Sequence, residues 1–244
     1  MKVRHIILTR FSMRASFGFG DEPFPLSWLE ERVELLEDYA LGGMREQTAK
    51  EFDWLLLCDE STDSSCLARL AGFARDVPQL RLGIINRART WRKAMVELLD
   101  DDHDVLLTTR VDSDDALNVR YVESVQRYVT GFLATGLDRL VVNFPRGLQY
   151  DSTSGRLFAR QYPHSPFPTM IERVAPGGKP VTVHSAQHTD LPKQWPTHQD
   201  VSIDGWLQVI HGGNVKNEIA PDAVEIDREE LSGQFVVTES RGVS

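Results

Sequence analysis

Successive stretches of this chain are dominated by apolar residues, at 5–9, 52–58, 80–85, from Val105 onward and at 140–144, with helix-like segments between them. A strand that alternates apolar and polar residues keeps one wet face, whereas a strand apolar throughout is covered on both. Covering both faces requires helices on each side of the sheet, and β and α alternating at these intervals predict right-handed crossovers. The expectation is an α/β fold around a doubly wound, mostly parallel sheet. Near Pro145 the rhythm stops and the sequence turns loop-rich.

The connecting segments carry their own signals. Ser27 and Glu30 have capping-box spacing, Leu29, Val33, Leu36 and Ala40 follow at helical intervals, and Gly42-Gly43 predicts the stop. Leu67, Leu70 and Ala74 suggest a short helix ending before Pro78, and Thr90 is placed to cap one carrying Trp91, Met95 and Leu98. Val122, Val125, Val129 and Phe132 mark another. In the second half, residues 150–160 read as a hairpin around Asp151–Gly155, and 163–180, with five prolines and two glycines, as loop. Residues 181–184 suggest a short strand, 185–196 polar turns, and 206–211 a last strand. Trp54, Trp91 and Trp206 are expected in the core; Trp195 is placed either to stack on a sugar or to pack in its loop.

The stretch with the most chemistry is V-L-L-T-T-R-V-D-S-D-D-A-L-N, residues 105–118. It runs from a buried strand directly into Asp112, Asp114 and Asp115. Ligands of open α/β sheets bind outside the carboxyl ends of the strands. In extended backbone Asp112 and Asp114 would share one face, and two converging carboxylates need a cation. Hard oxygen ligands suit Mg²⁺ or Mn²⁺ carrying a diphosphate. Asp and Ser after a strand are also ordinary turn residues, and Asp115 has a helix-capping position. Polar clusters at the other strand ends, Arg10-Phe11 and Asp59–Asp63, would meet a nucleotide laid across the same edge. Arg87, Arg89 and Arg92 supply guanidinium forks for phosphate oxygens.

A net charge of −9, from 36 acidic and 27 basic residues, argues against nucleic acid or an anionic membrane as the main partner. Two cysteines, Cys58 and Cys66, make no disulfide framework, and no apolar run reaches membrane-spanning length. Met1-Lys-Val-Arg runs straight into an apparent strand, so no signal peptide is expected and the compartment expected is the cytoplasm.

The order of strand, helix, strand ending in D-E-S-T-D, third strand and strand ending in V-D-S-D-D resembles the GT-A glycosyltransferases. T-R-F, W-L-L-L-C-D-E-S-T-D, T-T-R-V-D-S-D-D-A-L-N and W-L-Q-V-I-H-G-G-N are similar to their rhamnosyltransferase-type subgroup, over roughly residues 2–217. The resemblance implies a nucleotide-binding half at 1–145, an acceptor half at 146–217 and an acidic tail at 218–244. It implies a nucleotide-diphosphate sugar donor, a glycan or other hydroxyl acceptor, and Mn²⁺ or Mg²⁺. By position, Asp59 matches the base-contacting Asp, and Asp112 and Asp114 the pair on ribose and metal. Arg10, Phe11, Arg87 and Arg92 are the further donor candidates, and the late His211 the candidate that completes the metal site.

Two departures stand out: Glu60 replaces a second Asp, and no Glu-Asp pair marks a catalytic base. The base candidates are His184, His188, Asp190, Asp200, Asp204 and His211, with Asp200 and Asp204 ranked first because they precede the last strand. His184 and His188 would suit zinc only on a helix. A haloacid-dehalogenase-like phosphatase would carry its motif on the first strand. A sugar nucleotidylyltransferase would need a phosphate loop that Phe17-Gly-Phe-Gly20 does not form. An EF-hand would need Gly where Leu117 stands. A non-catalytic nucleotide- or sugar-binding protein of the same fold is the remaining alternative.

Overall fold

A computed structural model describes residues 2–14, 22–99, 103–174, 178–212 and 218–238. Phe17–Gly20 and the Gly213-Asn214 end of the last motif lie outside them. The buried runs form β1 (Val3–Ser12), β2 (Asp53–Asp59), β3 (Leu80–Ile85), β4 (Val105–Arg110) and β6 (Arg139–Asn143). They lie in one seven-stranded sheet of order β10-β6-β9-β4-β1-β2-β3, completed by β9 (Thr169–Arg173) and β10 (Thr197–Gln199). β3, β2, β1 and β4 are parallel neighbours, and only β9 runs against the rest. This is the doubly wound, mostly parallel sheet expected.

Alternate side chains of the buried strands go to opposite faces. Ile7, Trp54, Leu56, Val105 and Leu107 join the core under helices α1 (Leu26–Leu35), α3 (Ser64–Gly72), α5 (Tyr121–Gln126) and α6 (Tyr128–Ala134). Ile6, Leu8, Leu55, Leu57 and Leu106 meet Ala94 and Met95 of α4 (Trp91–Val96) on the other face. Thr90 caps α4 by accepting the Lys93 N–H, as expected.

A second sheet, β12-β8-β7-β11-β5, holds β7 (Arg146–Asp151), β8 (Arg156–Gln161), β11 (Trp206–Ile210), β12 (Val224–Ile226) and the two-residue β5 (Ala116–Leu117). The hairpin expected at 150–160 is β7–β8, turning at Gly155 with φ +70°. Because β5 belongs to the second sheet, the carboxylate-rich segment after β4 is the seam between the two sheets. The two halves expected at 1–145 and 146–217 therefore interleave: β9 and β10 enter the first sheet, and β5 the second.

Several expectations are corrected. The capping box is not used, since α1 starts at Leu26 with Ser27 already inside it and no side-chain cap. The helix passes through a π-helical turn, Leu36–Ala40, into α2 (Leu41–Arg45) and does not stop at Gly42-Gly43. A Cβ on Gly42 would lie 2.6 Å from Val236 Cγ1, and one on Gly43 3.0 Å from the Leu117 carbonyl oxygen. The glycines serve close packing here. The proline-rich stretch contains β9, a central strand whose partners on both sides satisfy its backbone. Residues 183–185 form a 3₁₀ turn in place of the expected strand, and α7 (Leu191–Gln194) interrupts the polar turns. The segment expected as an acidic tail is built in: β12 pairs with β8, and Leu231 and Phe235 are buried against Tyr150 and Leu157.

One buried polar chain ties β1 to β4 and β9. His5 Nε2 lies 2.8 Å from Thr109 Oγ1, which is 2.6 Å from Thr169 Oγ1. Burial lowers the His5 pKa from 6.5 to about 3. An unfolded His5 takes up a proton below about pH 6.5 while the native one stays neutral to about 3, so stability is lost as pH falls through that window. His5→Gln is expected to lose less stability than the wild type between pH 7 and 4.5, by up to about 3 kcal/mol in denaturant titrations. Identical losses would place the acid-sensitive group elsewhere.

Candidate active site

The carboxylates after β4 sit in a turn, with the Asp115 N–H directed to the Asp112 carbonyl at 3.4 Å. The turn removes the shared face that extended backbone would have given Asp112 and Asp114. Asp112 Oδ1 accepts from Arg10 at 3.3 Å, while Asp114 Oδ2 lies 3.2 Å from His211 Nε2 just past β11. Asp115 turns inward, where its Oδ1 accepts the Val209 N–H at 2.7 Å and fastens the seam to β11. The three expected metal ligands therefore divide: Asp114 and His211 meet, and Asp112 pairs with an arginine. Among the described residues no three His, Cys, Asp or Glu side chains form a closed metal cage.

The charges are balanced by a residue the motifs did not flag. Arg32, on α1, donates from Nε to the Phe11 carbonyl at 3.1 Å and from its fork to Ser113. Burial lowers its pKa, and Asp114, Asp112 and Asp115 oppose that effect. Burial alone would raise the Asp114 pKa, but the His211 hydrogen bond and the Arg32 charge hold its carboxyl below the usual range. Asp115 is pushed well above that range, by burial first and then by Asp114 and Asp112. Two adjacent carboxyls are thus shifted in opposite directions, Asp114 downward beside an imidazole and Asp115 upward in the buried position where it fastens the Val209 N–H. Arg32 lies three residues after Leu29 and four before Leu36, so an arginine on a helix's apolar stripe was the readable signal.

The other candidates scatter. Asp59 ends β2, two strand spacings or about 10 Å from β4. It accepts the Ser61 N–H at 3.0 Å and Arg14 Nε at 3.1 Å. Burial raises its pKa, but those hydrogen bonds, from Ser61 first and then Arg14, outweigh it and leave the carboxyl below its ordinary value. Phe11 is fully buried in the core, so its ring is not presented to a nucleotide. Arg89 is engaged by Glu97. Arg87 is exposed in the loop after β3. Arg92 stacks on Trp91 at 4.7 Å and donates to the Pro180 carbonyl at 3.4 Å. Trp195 packs beside Val183 and Leu191 under Arg139, the loop-packing role of the two considered.

Asp200 and Asp204 do not reach the carboxylate turn. Asp204 precedes β11 and pairs with Arg146 at 2.9 Å, whereas His211 follows β11, a strand about 17 Å long. Asp200 follows β10 at the sheet's far edge, where Arg127 binds it at 2.6 Å. Sequence order placed both next to the last strand, but at its distal end or beyond the sheet's breadth. A cavity of about 360 Å³ is lined in part by Arg160, Tyr162, His188, Gln208 and Glu218. Burial, followed by the charge of Arg110, lowers the His188 pKa to about 4.

Residues 4–223 match the model of the family described as "Putative rhamnosyl transferase". No curated protein matches the chain. Among solved structures it is similar to S. aureus TarS, with 13% identity and a TM-score of 0.47, covering 86% of this chain and 37% of that one. For TarS 1–349 in complex with UDP-GlcNAc the values are 14%, 0.46, 88% and 60%. A putative glucose-1-phosphate thymidylyltransferase from Bacillus anthracis in complex with a sucrose gives 11%, 0.35, 84% and 88%. The chain thus spans less than two thirds of the length of the TarS chains it matches.

Proposed function

We propose, for a chain that belongs to the putative rhamnosyl transferase family and so stands among the glycosyltransferases, a metal-dependent transfer of a sugar from a nucleotide-diphosphate sugar to a hydroxyl of a glycan acceptor. The observation that carries the reading is the Asp114–His211 pair, 3.2 Å apart at the carboxyl edge of β4, with Arg10 and Arg32 reaching the same turn through Asp112 and Ser113. An ionised carboxylate and an imidazole are ligands suited to Mn²⁺, and two protein ligands leave room for donor oxygens and water. When bound there, a divalent cation would neutralise charge developing on the leaving diphosphate.

The protein groups do the rest. Arg32 ties the turn's Ser113 hydroxyl to the Phe11 carbonyl of β1, and Arg10 sets the Asp112 carboxylate at the rim. The cavity beside His188 and Gln208 is the acceptor's place in this reading. Glu218 is the one carboxylate among the described residues lining it. It takes the base role that the positions of Asp200 and Asp204 leave open, deprotonating the acceptor hydroxyl. The family description supports rhamnose as the transferred sugar.

Thermal unfolding with UDP, dTDP, GDP and CDP, each with and without Mn²⁺, tests the donor site. A rise in midpoint that requires both one nucleotide and Mn²⁺ is expected, and a rise specific to dTDP would favour a rhamnose donor. No rise with any pair would remove the reading.

A further inference from the structure

The least expected group near the site is a buried guanidinium that forms no ion pair among the described residues. Arg110, the last residue of β4, is 9% exposed. Its Nε is buried without a partner, and no ion pair engages its side chain among the described residues. Burial lowers its pKa and the Arg10 charge adds to the effect, while Asp112, which pairs with Arg10, opposes it. A buried cation in this condition is costly unless something anionic joins it.

A second unpartnered group faces the same strand end. The turn at Val183–Ser185 is docked on β4 by the Val183 N–H, which donates to Thr108 Oγ1 at 2.9 Å. His184 lies edge-on to Trp91 at 5.4 Å, and its Nε2 is buried with no partner. Burial, then the charges of Arg110, Arg10 and Arg92, hold its pKa at about 3, so the ring is neutral. Ser185 Oγ and His188 Nδ1 are also buried and unpartnered. Every one of these four atoms can donate a hydrogen bond, the two imidazole nitrogens in the appropriate tautomer.

The turn is held against a conformational cost. Thr182 has φ +70°, a left-handed conformation that a β-branched residue rarely adopts. It is kept there because the Glu172 carboxylate accepts the N–H groups of Val181 and Thr182 at 2.9 and 3.0 Å, and Arg139 lies 3.5 Å from Glu172. Thr182 Oγ1 in turn accepts the His184 N–H at 3.3 Å. A strained residue, a buried carboxylate and an arginine thus combine to seat one imidazole.

We propose that Arg110 and His184, with Ser185 beside them, form an anion subsite that grips the diphosphate of the donor without requiring a metal. This rests on the donor reading above and adds a second hold on the same ligand. A base edge would need acceptors as well as donors, whereas the unpartnered atoms here suit a ligand whose oxygens only accept. The neutral imidazole contributes an N–H without adding to the positive charge of Arg10, Arg92 and Arg110.

Calorimetric titration with inorganic pyrophosphate and with UDP and dTDP, in EDTA and in Mn²⁺, tests the proposal. The wild type is expected to bind pyrophosphate in EDTA. His184→Ala and Arg110→Lys should each weaken that binding about tenfold or more, the effect of losing a hydrogen bond to a charged ligand. His184→Gln, which keeps a donor, should recover part of it. Asp114→Asn should leave binding in EDTA no weaker than in the wild type. Undiminished pyrophosphate affinity in both His184→Ala and Arg110→Lys would overturn the subsite while leaving the donor reading intact. Pyrophosphate binding that depends on these residues in a protein that binds no nucleoside diphosphate, even with Mn²⁺, would keep the anion site and remove the donor.

Discussion

Asp114→Asn is expected to abolish the Mn²⁺ dependence of donor binding and to lower sugar transfer roughly 100-fold or more, the scale of losing one charge-stabilising group. The substitution keeps volume and one acceptor oxygen but removes the charge that Arg32 and His211 sustain. Its structural cost should be modest, on the order of 1–3 kcal/mol, because Arg32 retains Ser113, the Phe11 carbonyl and Asp112 nearby. A folded variant with full Mn²⁺-dependent binding would move the metal away from the β4 turn. Transfer and thermal midpoint measured on the same preparation separate the two effects.

The second large effect concerns the seam itself. Gly147→Ala is expected to destabilise the chain by about 3 kcal/mol, the upper part of the range for overpacked cores. A Cβ on Gly147 would fall 2.1 Å from Trp206 Cδ2, and Trp206 is fully buried with its indole N–H donating to the Phe144 carbonyl at 3.0 Å. The ring has nowhere to withdraw. For a chain of this size the thermal midpoint should drop by roughly 6–12 °C. A drop of less than about 2 °C would mean that β7 and β11 adjust more freely than their packing shows.

Much of the first sheet was legible because its signal is local. A run such as Leu55–Leu57 or Val105–Leu107 is apolar on every residue, and only burial on both faces explains that. The Asp-rich turn after β4 was legible for the same reason, since the polar switch marks the strand's end. What misled was local chemistry overridden by packing. Gly42-Gly43 reads as a stop, yet the helix continues because Val236 and the Leu117 carbonyl need the space a side chain would fill. The prolines around β9 read as loop, yet they flank a strand whose hydrogen bonds come from β4 and β6, far away in sequence.

The site divides along the same line. Residue types and spacing named Asp112 and Asp114, because carboxylates at a strand's end are visible without contacts, and the family resemblance added His211. Only the tertiary structure decided that Asp114 pairs with His211 while Asp112 turns to Arg10, that Asp115 turns inward to the Val209 N–H, and that Asp200 and Asp204 lie too far away. It alone brought Arg32 from α1 and left Arg110 and His184 buried without partners. The reason is physical: a strand's period is written in its own residues, but the pairing and pKa of a charged side chain depend on desolvation and neighbours that folding brings from elsewhere in the chain.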